Sequence, residues 1–331
     1  MKYQNLAAII LILAGCSAHA ADIKPGVVYD LGGKFDKSFN EGVWNGAKRF
    51  TADTGIEFQD FEVQTDSQRA QVLRTFARGG YDPILAVGFQ YASALERIAA
   101  EFPETRFAII DSEVHRPNVQ SIVFREHEGA FVVGVLAAMA SRTGKLGFVG
   151  GMDVPLIRRF ACGYVLGAQY ASPGVEILQN MVGTTGAAWN DPVKGAELAR
   201  SQFDRGADVI FHAAGTTGLG VLQAAADADM LGIGVDSNQN HLHPGSVLTS
   251  MLKRVDVVAY EVFDSARQGT WTAGVRELGL KEGGVGWALD EFNEGLVSPE
   301  MKAAADRAAA DIKRGNIRVH DYVADGHCPA D

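Results

Sequence analysis

A chain of 331 residues is long enough for two domains of ordinary size. With 47% hydrophobic and 21% charged residues its composition is globular, which excludes wholesale disorder, a collagen-like repeat and a disulfide-dense scaffold. Its 40 Asp+Glu against 30 Lys+Arg, with no basic run, argue against nucleic acid or an anionic membrane surface as the partner, and the three cysteines fit no zinc spacing.

Residues 1–20 read as an export signal. Lys2 supplies the positive start, and residues 6–14, LAAIILILA, form an apolar run too short to span a bilayer. Two cleavage readings stand side by side. Ala18-His19-Ala20 is a small-x-small site that releases a soluble chain at Ala21. Leu13-Ala14-Gly15-Cys16 has the form of a lipobox, in which residues 1–15 are removed and Cys16 is lipidated. Both place the protein in the periplasm, soluble or anchored to a membrane through Cys16. Export lowers the weight of enzymes that need NAD or ATP, and it uses the region where a DNA-binding repressor would carry its helix-turn-helix.

The body alternates short apolar runs with longer helical patterns. Residues 26–30 read as a strand, and 38–54 as a helix with Val43, Ala47 and Phe50 at helical spacing. Strands at 56–63, 83–87 and 106–111 then alternate with helices at 68–78 and 91–100. The pattern restarts with a helix at 128–141, a strand at 145–149 and a helix at 156–171. A strand at 175–182 precedes a helix at 192–205, where Pro192 suits a first turn. A strand at 207–211, a helix at 219–228 and a strand at 232–236 follow. Such alternation predicts α/β architecture, with parallel sheets covered by helices on both faces. It fills two similar blocks, hence two Rossmann-like lobes.

In open parallel sheets the ligand sits beyond the carboxyl ends of the strands. That rule selects Asp30, Asp111, Phe211 with the segment after it, and Asp236. Carboxylates there accept hydrogen bonds from hydroxyl or amine donors. The blander role of an aspartate at a strand end is to cap the next turn or helix.

The segment Asp36-Lys37-Ser38-Phe39-Asn40 resembles the D-x-S-F-N signature of the basic membrane protein family, the purine-nucleoside-receptor type of ABC-transporter substrate-binding lipoprotein. The resemblance continues in register through Gly129-Ala130-Phe131, Met152-Asp153-Val154-Pro155-Leu156 and Ala213-Ala214-Gly215-Thr216-Thr217-Gly218. It runs on through Gly234-Val235-Asp236 and the segment from Leu248 to Asp256. It implies a type I periplasmic-binding-protein fold: two lobes, three crossovers, a hinge and an interlobe ligand cleft. The lobes are expected at 22–124 plus about 250–282, and at 125–249 plus about 283–331.

The resemblance also implies an extracytoplasmic receptor for a purine nucleoside (adenosine, guanosine or inosine), acting as a monomer with an ABC permease of the inner membrane. By position, Phe39 stacks on the base, Asn40 with Asp36 reads the base or orients the loop, and Asp111 contacts the ligand. Asp236 and Lys253 take ribose hydroxyls, helped by the backbone around Gly215. A second stacking aromatic is expected, with Trp189 and Phe211 both candidates. Asn238 departs from the D-x-D-Q that often follows in the family: it can still hydrogen-bond but is neutral. A nucleoside agrees with the chemistry: aromatic stacking suits a flat base and carboxylates suit sugar hydroxyls. Several carboxylates with one lysine disfavour a phosphate.

Other signals carry less. The glycines of 215–220 follow G-x-x-G-x-G, not the dinucleotide order G-x-G-x-x-G. His241 and His243 precede Pro244-Gly245 and read as a solvated loop. Cys162 and Cys328 could pair in an oxidising compartment, though sequence does not place them together. No catalytic constellation emerges, so neither an enzyme nor a cofactor is expected. The alternatives are a pyrimidine nucleoside or flavin in the same fold, an exported nucleoside hydrolase, or a lipid-anchored adhesin.

Overall fold

The structure, a computed structural model, describes residues 23–330, so the export signal, both cleavage sites and Cys16 lie outside the described residues. The chain begins with β1 (Gly26–Tyr29), α1 (Phe39–Thr54), β2 (Gln59–Glu62), α2 (Gln68–Arg78), β3 (Ile84–Ala86), α3 (Ala92–Glu101), β4 (Phe107–Ile110) and β5 (Val119–Phe124). It then crosses to a second lobe: α4 (Glu126–Ala140), β6 (Lys145–Met152), α5 (Pro155–Ala171), β7 (Glu176–Gly183) and α6 (Pro192–Asp204). There follow β8 (Val209–Ala213), α7 (Thr217–Asp227), β9 (Leu231–Asp236) and β10 (Val247–Lys253). A second crossing returns it through α8 (Val255–Gln268), which packs on α1, to β11 (Gly274–Leu278). A third leads to β12 (Val285–Trp287), α9 (Pro299–Arg314) and the short α10 (Tyr322–Asp325).

Two six-stranded sheets result, in the orders β2-β1-β3-β4-β5-β11 and β7-β6-β8-β9-β10-β12. Every neighbouring pair is parallel except β10 with β12. The runs GVVY, ILA and FAII of β1, β3 and β4 are buried throughout, as strands covered on both faces must be. This is the type I periplasmic-binding-protein fold, and it puts the carboxyl ends of both sheets at the cleft.

The last crossings lie beyond the alternation legible in the sequence, as do β5, β10 to β12 and α8 to α10. One boundary needs correction: residues 250–253 end β10 and so belong to the second sheet, not to the first lobe. Helix α4 also starts earlier than its periodicity predicts, at Glu126, and this puts a buried carboxylate behind Lys253. It is buried along almost its whole length and touches α5 backbone to backbone. A Cβ on Gly134 would stand 2.2 Å from the Tyr164 carbonyl oxygen, and one on Gly167 would stand 1.9 Å from that of Phe131. Cys162 of α5 is disulfide-bonded to Cys328, tying the C-terminal segment to the second lobe.

Candidate functional site

A cavity partly open to solvent lies between the lobes. The ends of β1, β4, β8, β9 and β10 supply Asp30, Asp111, Ala213, Asp236 and Lys253 to its wall. Asp111 and Asp236 hold left-handed backbone, with φ of 72° and 63°. Aspartate tolerates that region better than most residues, and such strain gathers where a side chain must be aimed.

The loop from β1 to α1 is organised by Asp36. Its Oδ1 accepts from the N–H groups of Ser38 and Glu41 at 2.8 and 3.1 Å, and its Oδ2 from that of Asn40 at 3.0 Å. These are the orphan donors of a helix start, so Asp36 caps α1. Burial raises its carboxyl to about 7, against the pull of those three N–H bonds. Asn40 donates from Nδ2 to the Gly33 carbonyl at 3.0 Å, while its buried Oδ1 has no protein partner. Asp30 takes the Leu31 N–H at 2.8 Å and a two-point contact from Arg69 of α2, all on Oδ1. Burial raises the Asp30 carboxyl and Arg69 pulls it back.

Lys253 is the cation of the cavity and is almost completely buried. Its Nζ stands 2.7 Å from both oxygens of Asp111 and 2.9 Å from Oε1 of Glu126. It also lies 5.1 Å from the ring centres of Phe39 and Phe124 and 5.6 Å from that of Phe160. Burial alone would lower the lysine, but Asp111, Glu126 and Asp236 outweigh it and hold the ammonium charged. Asp236 Oδ2 accepts from Ser38 Oγ at 2.6 Å. Burial raises Asp236, while Lys253 and that hydroxyl lower it.

The lobes touch across the cleft. Besides Lys253–Asp111 and Ser38–Asp236, Ser237 Oγ donates to the Ser38 carbonyl at 2.7 Å and Gln239 Nε2 to that of Lys37 at 3.1 Å. Thr216 Oγ1 donates to the Gly32 carbonyl. That contact needs the bare Cα of Gly32, where φ is 119° and a Cβ would meet Trp189 Cβ at 3.3 Å.

Of the ten residues singled out in the sequence, Asp30, Asp36, Phe39, Asn40, Asp111, Trp189, Gly215, Asp236 and Lys253 line this one cavity. Phe211 does not. It is fully buried in the second lobe, packed on Phe148 and Tyr164 at ring distances of 5.6 and 5.3 Å. It lies mid-strand in β8, which runs on to Ala213, so its ring enters the core and the candidate second aromatic is Trp189. Trp189 ends a 3-10 turn at Gly186–Trp189 and is braced on β6, where a Cβ on Gly151 would stand 2.2 Å from the indole. His241 and His243 lie in or beside a short 3-10 turn, and no metal-holding cluster occurs among the described residues.

Sequence reasoning missed Phe160, which faces the cavity from α5, and Phe89 after β3. Both fit a helical or turn pattern, and nothing in that pattern tells a cavity-facing aromatic from a core one. It also missed Arg69 and Glu126, the buried charges that hold Asp30 and Lys253. Charged residues in helices otherwise predicted to bury one face were the available signal.

The sequence model for PnrA-like ABC transporter substrate-binding proteins matches residues 23–318. An ABC transporter nucleoside-binding protein, BmpA of Lactococcus lactis, is 30% identical over 344 residues, covering 94% of this chain and 95% of that protein. An uncharacterized lipoprotein of Pyrococcus abyssi is 34% identical over 306 residues, covering 85% of this chain and 75% of its own length. A crystal structure of an ABC transporter solute-binding protein from Aeropyrum pernix superposes with a TM-score of 0.83 at 30% identity, covering 90% of this chain and 93% of that one.

Proposed function

Because the chain belongs to the PnrA-like family of ABC transporter substrate-binding proteins, we propose that its cleft takes a purine nucleoside (adenosine, guanosine or inosine) and delivers it to an ABC permease. The observation that carries this reading is the pairing of two chemistries in one cavity. Phe39 of the first lobe and Trp189 of the second line the space that also holds Asp111, Asp236 and Lys253. A base held between the two aromatics gains about 1–3 kcal/mol per stacked face. Ribose hydroxyls donating to Asp111 and Asp236 make charge-assisted bonds of about 1.5–3 kcal/mol each. Lys253 donates to the same sugar, and the backbone around Gly215 closes over it. Asp36 acts by capping α1 and so fixing Phe39 and Asn40. Four aspartates and a single lysine line the cavity, a balance that disfavours a phosphate.

In this reading the protein is a non-catalytic, monomeric receptor, and the lipoprotein and nucleoside-binding relatives support its place outside the cytoplasmic membrane. The lobes close over the ligand by hinge motion.

The test is a thermal-shift screen of chain stripped of ligand by refolding. Adenosine, guanosine, inosine, uridine, AMP, adenine, ribose and riboflavin form the panel. Saturation at a thousand times Kd adds about 4 kcal/mol, hence several degrees at roughly 2–4 °C per kcal/mol. A rise with purine nucleosides and none with AMP or ribose is expected. No rise with any nucleoside withdraws the ligand.

A further inference from the structure

Lys253 is held from behind by a relay that ends outside the family match. Glu126 Oε2 accepts from Arg159 Nη1 at 3.0 Å, and the same nitrogen donates to the Phe124 carbonyl at 2.8 Å. The other edge of the guanidinium makes a two-point contact with Asp321, at 2.7 and 2.9 Å. Asp111, Lys253, Glu126, Arg159 and Asp321 thus alternate in sign from the cavity to the C-terminal segment. Glu126 has no solvent exposure and neither it nor Arg159 lines the cavity. Asp321 caps α10 by accepting from the Val323 N–H at 3.0 Å. The disulfide from Cys328 to Cys162, one turn beyond Arg159 on α5, pins the same segment. The family match stops at residue 318, so both anchors of the segment lie beyond it.

We propose that the C-terminal segment from residue 319 onward is a positioning element for the ligand cleft, with Asp321 as its positioning residue, acting on Lys253 through Arg159 and Glu126. The physical reason is the poverty of alternatives. Arg159 is nearly buried and cannot leave half its fork unpaired. Without the Asp321 carboxylate the guanidinium either draws Glu126 toward itself or swings out toward the opened segment. Both shift the carboxylate that fixes Lys253 Nζ, at the depth where small displacements cost most.

Two measurements on the full chain test this, in wild type, Asp321→Asn, Asp321→Glu and Cys328→Ala. The first is the rate of acetylation of Lys253 by acetic anhydride in ligand-free protein, read by mass spectrometry against Lys24 in the first lobe. The second is Kd for inosine by calorimetry. The affinity arm rests on the nucleoside reading and the labelling arm does not. Asp321→Asn is expected to speed Lys253 labelling several-fold with Lys24 unchanged. It should raise Kd about tenfold, within the range for residues coupled at a distance. Asp321→Glu restores both. Cys328→Ala, which frees the segment but leaves Asp321 and Arg159 in place, moves both the same way by less. Wild-type labelling of Lys253 in Asp321→Asn overturns the role, as does equal acceleration at Lys24. Unchanged Kd in protein that binds inosine overturns it too. Wild type that binds no inosine defeats the nucleoside reading alone, and labelling still decides the role of Asp321.

Discussion

Asp30 and Asp111 sit just beyond first-lobe strands, both buried and both paired with a buried cation, yet they are held in different ways. Asp30 takes Arg69 from α2 of its own lobe. Asp111 takes Lys253 from the other lobe. The first pair is complete before the lobes meet, and the second forms only when they do. Asp236 mirrors Asp111 from the opposite side, taking its hydroxyl from Ser38 of the first lobe. Rigid recognition and closure are thus assigned to different carboxylates. The acid fixed within one lobe presents a preset edge to a ligand, and the acids held across the cleft link ligand binding to lobe position.

Lys253→Met breaks this arrangement hardest. It leaves Asp111 and Glu126 buried with their shared cation gone, a change that costs about 3–5 kcal/mol. At roughly 2–4 °C per kcal/mol the melting temperature should fall by about 10 °C. Arg69→Met should cost a similar amount but act within one lobe. Small-angle scattering of ligand-free protein separates the two: Lys253→Met opens the lobes and Arg69→Met does not. Equal opening in both would erase the distinction between the pairs.

Ser38→Ala is the gentler cut. It removes one hydroxyl donor to a carboxylate, a bond worth about 1.5–3 kcal/mol. The bond joins lobes, so the loss falls on the open–closed balance more than on either core. Ligand-free protein should scatter as a more open particle, and nucleoside affinity should fall by about tenfold, the equivalent of 1.4 kcal/mol. A loss of stability without opening would make Ser38 a core contact instead.

How far the sequence foretells this site depends on how local each feature is. Asp30, Asp111 and Asp236 were legible because a strand-end acid needs only the strand to be recognised. Phe39 and Asn40 were legible through a motif of five adjacent residues. Phe211 was misplaced because a residue near a strand's end can face the cleft or the helix layer, and its actual partners, Phe148 and Tyr164, come from other elements. Arg69, Glu126 and Arg159 were invisible as a set: their partners lie 39, 127 and 162 residues away in Asp30, Lys253 and Asp321. The fold class was legible from alternation alone. The return crossings came only with the family resemblance, since α8 and β11 break the block pattern by rejoining a sheet begun over a hundred residues earlier.

Asp36 sharpens the comparison by the smallest effect, since it is a first-lobe acid held with no cation at all. Burial raises its carboxyl to about 7 against the three N–H bonds that stabilise the charge. In the unfolded chain an aspartate titrates near 3.9. Between those values the folded protein keeps a proton that the unfolded chain releases. Its contribution to stability is therefore greatest at the acid end and is lost as pH rises through about 7. His127 and His212 act oppositely: burial holds both down at about 4, so the folded protein refuses protons that the unfolded chain accepts from about 6.5 downward. Those two windows overlap at acid pH, and the clean interval lies above the histidine range. Ligand-free wild type should melt at progressively higher temperature as pH is lowered from about 8 to about 6.5, the neutral side of the histidine range. Asp36→Asn should flatten that slope, and Asp111, whose carboxyl burial raises to about 6, supplies part of what remains. A flat wild-type profile over that interval would mean that the three N–H bonds outweigh burial. Asp36 would then be a charged cap, held by helix geometry as firmly as Asp30 is held by Arg69.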